Sequence, residues 1–196
     1  MGANRAPWLR AILIGRHSFW LGMLVGLTLA AVVVEVPYIN WRVIVPPIDA
    51  EPLIVRQDAK GDGHFGAPRS GRRHHRGVDL LAPLGTPVRA IQSGRVIQVG
   101  IHRGLGHFVE LSHRRDLTSL YAHLATTNVR QGDRVTQGHV IGTVGKTGNA
   151  RHPWISPHVH VEVASHGEVI DPATLGLRVL ASTAVTEQQT NGRGGD

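Results

Sequence analysis

The region from residue 61 to residue 176 consists of short β-branched runs separated by glycine, and this pattern restricts the folds open to the chain. The runs are TPVRAI, GRVIQVGI, HFVELSH, LTSLYAHL, HVIGTVG and HVHVEVA. Strands of about 4–8 residues between Gly, Asp and Asn turns are typical of antiparallel sheets, and no long amphipathic helix is indicated. The sequence therefore predicts a compact, antiparallel all-β domain over 61–176, with irregular connections at 102–106 and 147–157.

An apolar segment near the N-terminus predicts one transmembrane helix. The stretch from His17 to Val34 contains no Asp, Glu, Lys or Arg. As a helix it would span about 27 Å, close to the ~30 Å hydrocarbon core of a bilayer. Three arginines precede it, whereas only Arg42 follows it closely. The positive-inside rule then predicts a cytoplasmic basic N-terminus over 1–16, a single-pass signal-anchor over 17–36 and a domain on the extracytoplasmic side. The expected membrane is the cell inner membrane, with the domain in the periplasm.

A cleaved signal peptide is the alternative interpretation of this segment, and it would also export the domain. Such peptides have apolar cores of about 7–15 residues and a small-x-small cleavage site. The apolar core here is longer, and its best match to such a site, TLA at 28–30, is poor. The uncleaved anchor is therefore favoured.

The segments that flank the β domain are predicted to lie outside it. Residues 37–60 contain four prolines among short apolar runs, which indicates a linker with room for one strand. Residues 177–196 are polar and lack periodicity, which predicts a disordered tail.

Composition narrows the chemistry that the domain can perform. The net charge of +7 suggests an acidic partner but does not identify it. Cysteine is absent, which excludes disulfides and thiolate zinc sites, whereas 13 histidines are available as ligands. Nucleic acid is not expected as a partner, because interleaved aromatic residues are lacking and export conflicts with such a role.

The segment HVHVEV at 158–163 alternates strictly between polar and apolar residues. With a strand period of two, His158, His160 and Glu162 share one face. The two imidazoles would lie about 6.6 Å apart along the strand. Either both bind one metal, or one binds it while the other lies beside it. A solvated polar face is the ordinary alternative for an isolated HxH.

Two further segments supply metal-binding chemistry. In RHHRGVDL at 73–80, a straight strand would hold His75 and Asp79 about 13 Å apart, so a shared ion requires a sharp bend, for which Gly77 is suited. Imidazole and carboxylate are a normal zinc pair. In LYAHL, His123 lies on a predicted strand, where a hydrogen-bonded core histidine is the alternative. Together these segments predict a metal hydrolase with free imidazoles for proton transfer.

The order of the motifs resembles the lysostaphin/LytM-type M23 zinc metallopeptidases. The matching motifs are HxGxD at 75–79, YxHL at 121–124, GDxVxxGxxIGxxG at 132–145, TG at 147–148 and PHxH at 157–160. The likeness covers about residues 61–176 and implies a sheet of the duplicated hybrid motif-like type.

The resemblance also implies the roles of individual residues. One Zn²⁺ would be bound by His75, Asp79 and His160, and His123 and His158 would form the catalytic pair. Members of the family hydrolyse peptide bonds in peptidoglycan, so peptidoglycan is the expected substrate and its peptide cross-links the expected target. The separate roles of the two catalytic histidines and the bond that is cut stay open.

The chain departs from the common family form between Gly148 and Pro157. Eight residues, NARHPWIS, stand where about four are usual. This difference predicts a longer loop at the rim of the groove, with Trp154 as a substrate contact.

Two other functions compete with the endopeptidase. A catalytically weak LytM-like domain would bind and activate another cell-wall hydrolase, but such relatives typically lack the metal ligands that are present here. The motif at 132–145 also resembles biotinyl and lipoyl carrier domains, which display a lysine at a hairpin tip. Lys146 is the only candidate and has no methionine beside it. The zinc endopeptidase is therefore the favoured function.

Overall fold

The computed structural model describes residues 40, 42–59 and 61–181. The predicted cytoplasmic segment, the predicted signal-anchor and residues 182–196 of the predicted tail lie outside the described residues. Among the residues described, no helix is long and apolar enough to cross a bilayer.

Short strands dominate the regular structure of the described residues, together with two 3₁₀ helices at Gly148–Arg151 and Pro172–Leu175. The strands are β1 (Leu53–Val55), β2 (Gln57–Asp58), β3 (Gly61–Asp62), β4 (Pro68–Arg69), β5 (Arg73–His74), β6 (Gly77–Leu81), β7 (Pro87–Arg89), β8 (Gly94–His102), β9 (Gly106–His113), β10 (Leu117–Thr127), β11 (Arg134–Val135), β12 (Val140–Val144), β13 (His158–Ser165), β14 (Glu168–Ile170) and β15 (Val179–Ala181). The six predicted β runs correspond to β7, β8, β9, β10, β12 and β13, so the all-β prediction is confirmed.

One 11-stranded sheet forms the body of the domain, in the order β11-β8-β9-β10-β13-β6-β1-β15. Strand β12 joins β10 to β7, and β14 pairs with β13. Every pairing in this sheet is antiparallel except that of β1 with β15. Two ribbons, β2–β3 and β4–β5, stand apart from it.

The hydrophobic core lies on one side of the central strands and fixes which face of β13 looks outward. Val159, Val161 and Val163 are fully buried in the core. Because side chains alternate along a strand, His158 and His160 point to the opposite face. Burial of the valines therefore directs both histidines to the face of the sheet opposite this core.

The domain extends past both of its predicted limits. Strand β1 lies within the predicted linker. It pairs with both β6 and β15, and its residues Leu53 and Val55 are buried. At the other end, Leu177 is buried and β15 continues the sheet, so the first five residues of the predicted tail are folded. Both runs are too short to show a periodicity, and only their pairing in the sheet reveals them as strands.

Candidate metal centre

Strand pairing brings an acid and a histidine from distant parts of the chain together. His160 on β13 lies directly opposite Asp79 on β6, and its Nδ1 is 2.8 Å from Asp79 Oδ1. His75 precedes β6, and its Nε2 lies 3.1 Å from the same oxygen and 3.0 Å from His160 Nδ1. All three side chains are buried. Three potential ligand atoms thus form a nearly equilateral triangle.

The spacing of His75 and Asp79 predicted a sharp bend at Gly77, but the structure requires glycine there for a different reason. Gly77 is not among the glycines with a positive φ and begins the regular strand β6. A Cβ at this position would overlap the carbonyl oxygen of Val161 and lie 2.9 Å from His160 Cε1. Glycine therefore lets β6 approach β13 closely enough to bring the ligand atoms together.

Hydrogen bonds on the outer side of the triangle fix its two imidazoles. His75 Nδ1 lies 2.9 Å from the His64 carbonyl oxygen, and His160 Nε2 lies 3.1 Å from Glu162 Oε1. Carbonyl and carboxylate oxygens only accept, so each outer nitrogen donates. The inner nitrogens point at one another and at Asp79, and they can offer lone pairs to a metal ion that displaces their protons, which is the arrangement of metal-binding histidines.

The charges around the triangle favour a cation. Burial raises the pKa of Asp79, but its bonds to His160 and His75 outweigh this effect and hold the pKa well below its usual range. Burial lowers the pKa of His160, yet bonds to Asp79 and Glu162 raise it to about 9. Asp79 and Glu162 thus stabilise a positive charge in the triangle.

The ligand set fits zinc. His75, Asp79 and His160 are the group of three metal-ligating residues found in the described part of the chain, with ligand atoms within 4.8 Å of one another. Two imidazole nitrogens and one carboxylate oxygen are a normal set for catalytic zinc, which keeps a fourth position for water or substrate.

His123 enters the site through an irregularity of strand β10. The residue has a φ of 62°, and the register of β10 against β9 shifts between Tyr121 and Leu124. Its backbone N–H leaves the ladder and donates to the Leu105 carbonyl at 2.8 Å. Such a bulge re-aims a side chain, and here it helps to place His123 among the residues that line the groove.

His123 and His158 form a second pair of imidazoles beside the triangle, with ring centroids 4.9 Å apart. His123 Nδ1 lies 3.0 Å from the Thr147 carbonyl and His158 Nδ1 lies 2.7 Å from the Ser156 carbonyl, so both donate from Nδ1. Burial lowers the pKa of both rings, and with the nearby His158 and His160 it brings that of His123 to about 3. Both rings are therefore neutral at physiological pH, with Nε2 free to accept a proton.

The groove around these residues is basic. Four arginines line it, together with Asp79 and Glu162: they are Arg56, Arg69, Arg73 and Arg76. Asn149 and Ile155 from the long loop line it as well. Trp154, which was predicted as a substrate contact, is not among the lining residues and instead stacks on His152 with ring centroids 5.3 Å apart.

Arg56 is the site residue that the sequence interpretation missed. It is 5% exposed, and its Nη2 and Nε lie 2.9 and 3.2 Å from Asp79 Oδ2. It belongs to the segment predicted to be a linker. The order Val55-Arg56-Gln57-Asp58 places opposite charges two residues apart after an apolar run, but nothing in it points to Asp79.

Comparison with known proteins places the chain in a family. Residues 73–172 match Peptidase family M23. The chain is 39% identical over 105 residues to the DD-carboxypeptidase/endopeptidase Mpg of Neisseria meningitidis serogroup B, which covers 54% of this chain and 23% of that protein. It is 37% identical over 116 residues to the peptidoglycan DD-endopeptidase ShyC of Vibrio cholerae, which covers 59% and 26%.

A solved structure supports the same assignment. The crystal structure of a zinc containing peptidase from Vibrio cholerae matches with a TM-score of 0.51 and 30% identity, over 63% of this chain and 37% of that one. The chain spans about a quarter of the length of the two curated relatives. The family match covers half of the chain and includes every histidine and carboxylate of the triangle and the second pair. The chain therefore belongs to peptidase family M23, a family of zinc metallopeptidases.

Proposed function

We propose that this chain is a zinc-dependent endopeptidase that hydrolyses peptide cross-links of peptidoglycan. The observation that carries the proposal is the common orientation of four histidines around Asp79. Each ring directs one nitrogen outward to a carbonyl or carboxylate oxygen, which turns its other nitrogen towards Asp79 or the groove. A domain that only binds a partner has no need of four such nitrogens in one groove.

In this proposal His75, Asp79 and His160 hold one Zn²⁺, and His123 and His158 are the catalytic pair. A zinc ion held there supplies Lewis acidity, which polarises a carbonyl oxygen and lowers the pKa of water. Nε2 of His123 or His158 then takes up a proton as general base. The other ring, once protonated, donates to the developing oxyanion or to the leaving amine. The two rings are proposed as a pair, without a division of these roles.

The substrate is proposed from the relatives and from the charge of the groove. ShyC is named a peptidoglycan DD-endopeptidase, and Mpg a DD-carboxypeptidase/endopeptidase. Stem peptides of peptidoglycan carry free carboxylates, which complement a groove with four arginines and two acids. Opposite charge favours association of such a peptide with the groove.

Localisation follows from the substrate and from the N-terminal sequence. Peptidoglycan lies outside the inner membrane, and the distribution of arginine around residues 17–36 favours an external domain. We propose a single-pass inner-membrane protein with its peptidase domain in the periplasm. Protease added to intact spheroplasts should degrade the domain, whereas protection until lysis would refute this location.

The central proposal is tested by measuring whether hydrolysis of peptidoglycan depends on metal. The full chain in detergent, incubated with purified peptidoglycan, should release muropeptides that mass spectrometry identifies. A chelator should stop the release and added zinc should restore it, because the triangle loses its ion and regains it. Release that continues in excess chelator would contradict the zinc mechanism.

The same experiment separates the enzyme from a LytM-like activator. An activator would release nothing alone, even with zinc, but would increase the rate of an added cell-wall hydrolase. The complete set of potential ligands favours the enzyme.

A further inference from the structure

We propose that Arg56 and Asp58 are positioning residues of the metal centre, Arg56 acting through Asp79 and Asp58 acting through His158. The inference rests on the proposed zinc peptidase. Both residues precede the region 73–172 that matches the family, so nothing in that match assigns them a role.

Arg56 determines which oxygen of Asp79 faces the histidines. Its Nη2 and Nε both contact Oδ2, at 2.9 and 3.2 Å. Oδ1 is left at 2.8 Å from His160 Nδ1 and 3.1 Å from His75 Nε2. The guanidinium is buried, so few other partners compete for it and its charge-assisted bonds are strong. Arg56 therefore holds Asp79 as a ligand with one oxygen directed at the metal position.

Asp58 connects the same arginine to the backbone that orients His158. Its Oδ1 lies 2.6 Å from Arg56 Nη1, and its Oδ2 accepts from the Ser156 N–H at 3.2 Å. The Ser156 carbonyl in turn accepts from His158 Nδ1 at 2.7 Å. Asp58 thus fixes the end of the long loop from which His158 receives its orientation.

The two contacts predict different defects. Replacing Arg56 by glutamine removes both charge-assisted bonds to Oδ2 of Asp79 and leaves only the more distant Arg69, at 3.8 Å. Zinc affinity should therefore fall about 10–100-fold, as for other groups that support metal ligands. Activity should be lost at limiting zinc and return towards the wild-type value at saturating zinc.

Asp58→Asn should spare zinc affinity and lower turnover. An amide has one accepting oxygen and cannot keep the bonds to both Arg56 and Ser156. The loop would loosen around His158, and kcat should fall about 10-fold or more at saturating zinc with little change in KM. The contrast between affinity in one variant and kcat in the other is a result that general destabilisation would not produce.

Zinc affinity is measured by competition with a chelating dye on the full chain, and kcat by muropeptide release. Arg89→Gln is the control, because it removes an Arg–Asp pair that is exposed and lies outside the groove, with Asp49 at 2.6 Å. Its affinity and turnover should equal those of the wild type. Arg56→Lys keeps the charge and should recover part of the affinity that Arg56→Gln loses.

The assignment is overturned if folded Arg56→Gln binds zinc as tightly as the wild type, or if Asp58→Asn keeps full kcat. Circular dichroism establishes folding. If Arg56→Gln does not fold, Arg56→Lys tests the role of Arg56 instead. Lysine cannot form the same set of bonds to Asp79 and Asp58, so wild-type zinc affinity in this variant also refutes the positioning role. A wild-type chain that binds no zinc would refute the proposed function itself.

Discussion

Replacement of His160 by alanine is expected to abolish both zinc binding and hydrolysis of peptidoglycan. The change removes one corner of the triangle and leaves only His75 and Asp79, whereas catalytic zinc sites use three protein ligands. Metal analysis should find no bound zinc, and mass spectrometry should find muropeptides only at the background level.

Two histidines close in sequence to the ligands provide controls for this prediction. His158→Ala should keep zinc, because His158 Nε2 lies 3.9 Å from Asp79 Oδ2 and outside the triangle. His166→Ala, on an exposed turn, should keep both zinc and activity. Stoichiometric zinc in His160→Ala would place the metal elsewhere.

The alternation of HVHVEV correctly predicted that His158, His160 and Glu162 share a face of one strand. The alternation could not reveal the residue opposite them. Asp79 and His160 are 81 positions apart, and their contact depends on the register of β6 against β13. Register is set by packing of the whole sheet, so only the resemblance linked these residues before the structure did.

The conformation of His123 also could not be predicted from the local sequence. The residue was correctly predicted to lie on a strand, but its positive φ and the shifted register of β10 leave no mark in the sequence. The same limit applies to Arg56, which is recognisable as part of the site only once β1 joins the sheet beside β6.

Replacement of His123 by alanine is expected to keep zinc bound but to reduce kcat by about 10²–10⁴, the usual contribution of a group that transfers protons. The ring centroid of His123 is 5.9 Å from that of His160, and His123 is not a member of the triangle. Burial and the neighbouring histidines lower its pKa to about 3, so at neutral pH the substitution removes no charge from the site. Zinc affinity should therefore change little.

The measurement compares zinc content, KM and kcat of His123→Ala with those of His107→Ala, whose side chain is outside the groove and lies 3.3 Å from the Ala125 carbonyl. A group that acts only in proton transfer should affect kcat far more than KM, because it stabilises the transition state and not the bound substrate. Retained zinc with undiminished turnover in His123→Ala would remove His123 from the catalytic pair. His158 would then be the remaining base, because its Nε2 faces the same groove without a proton.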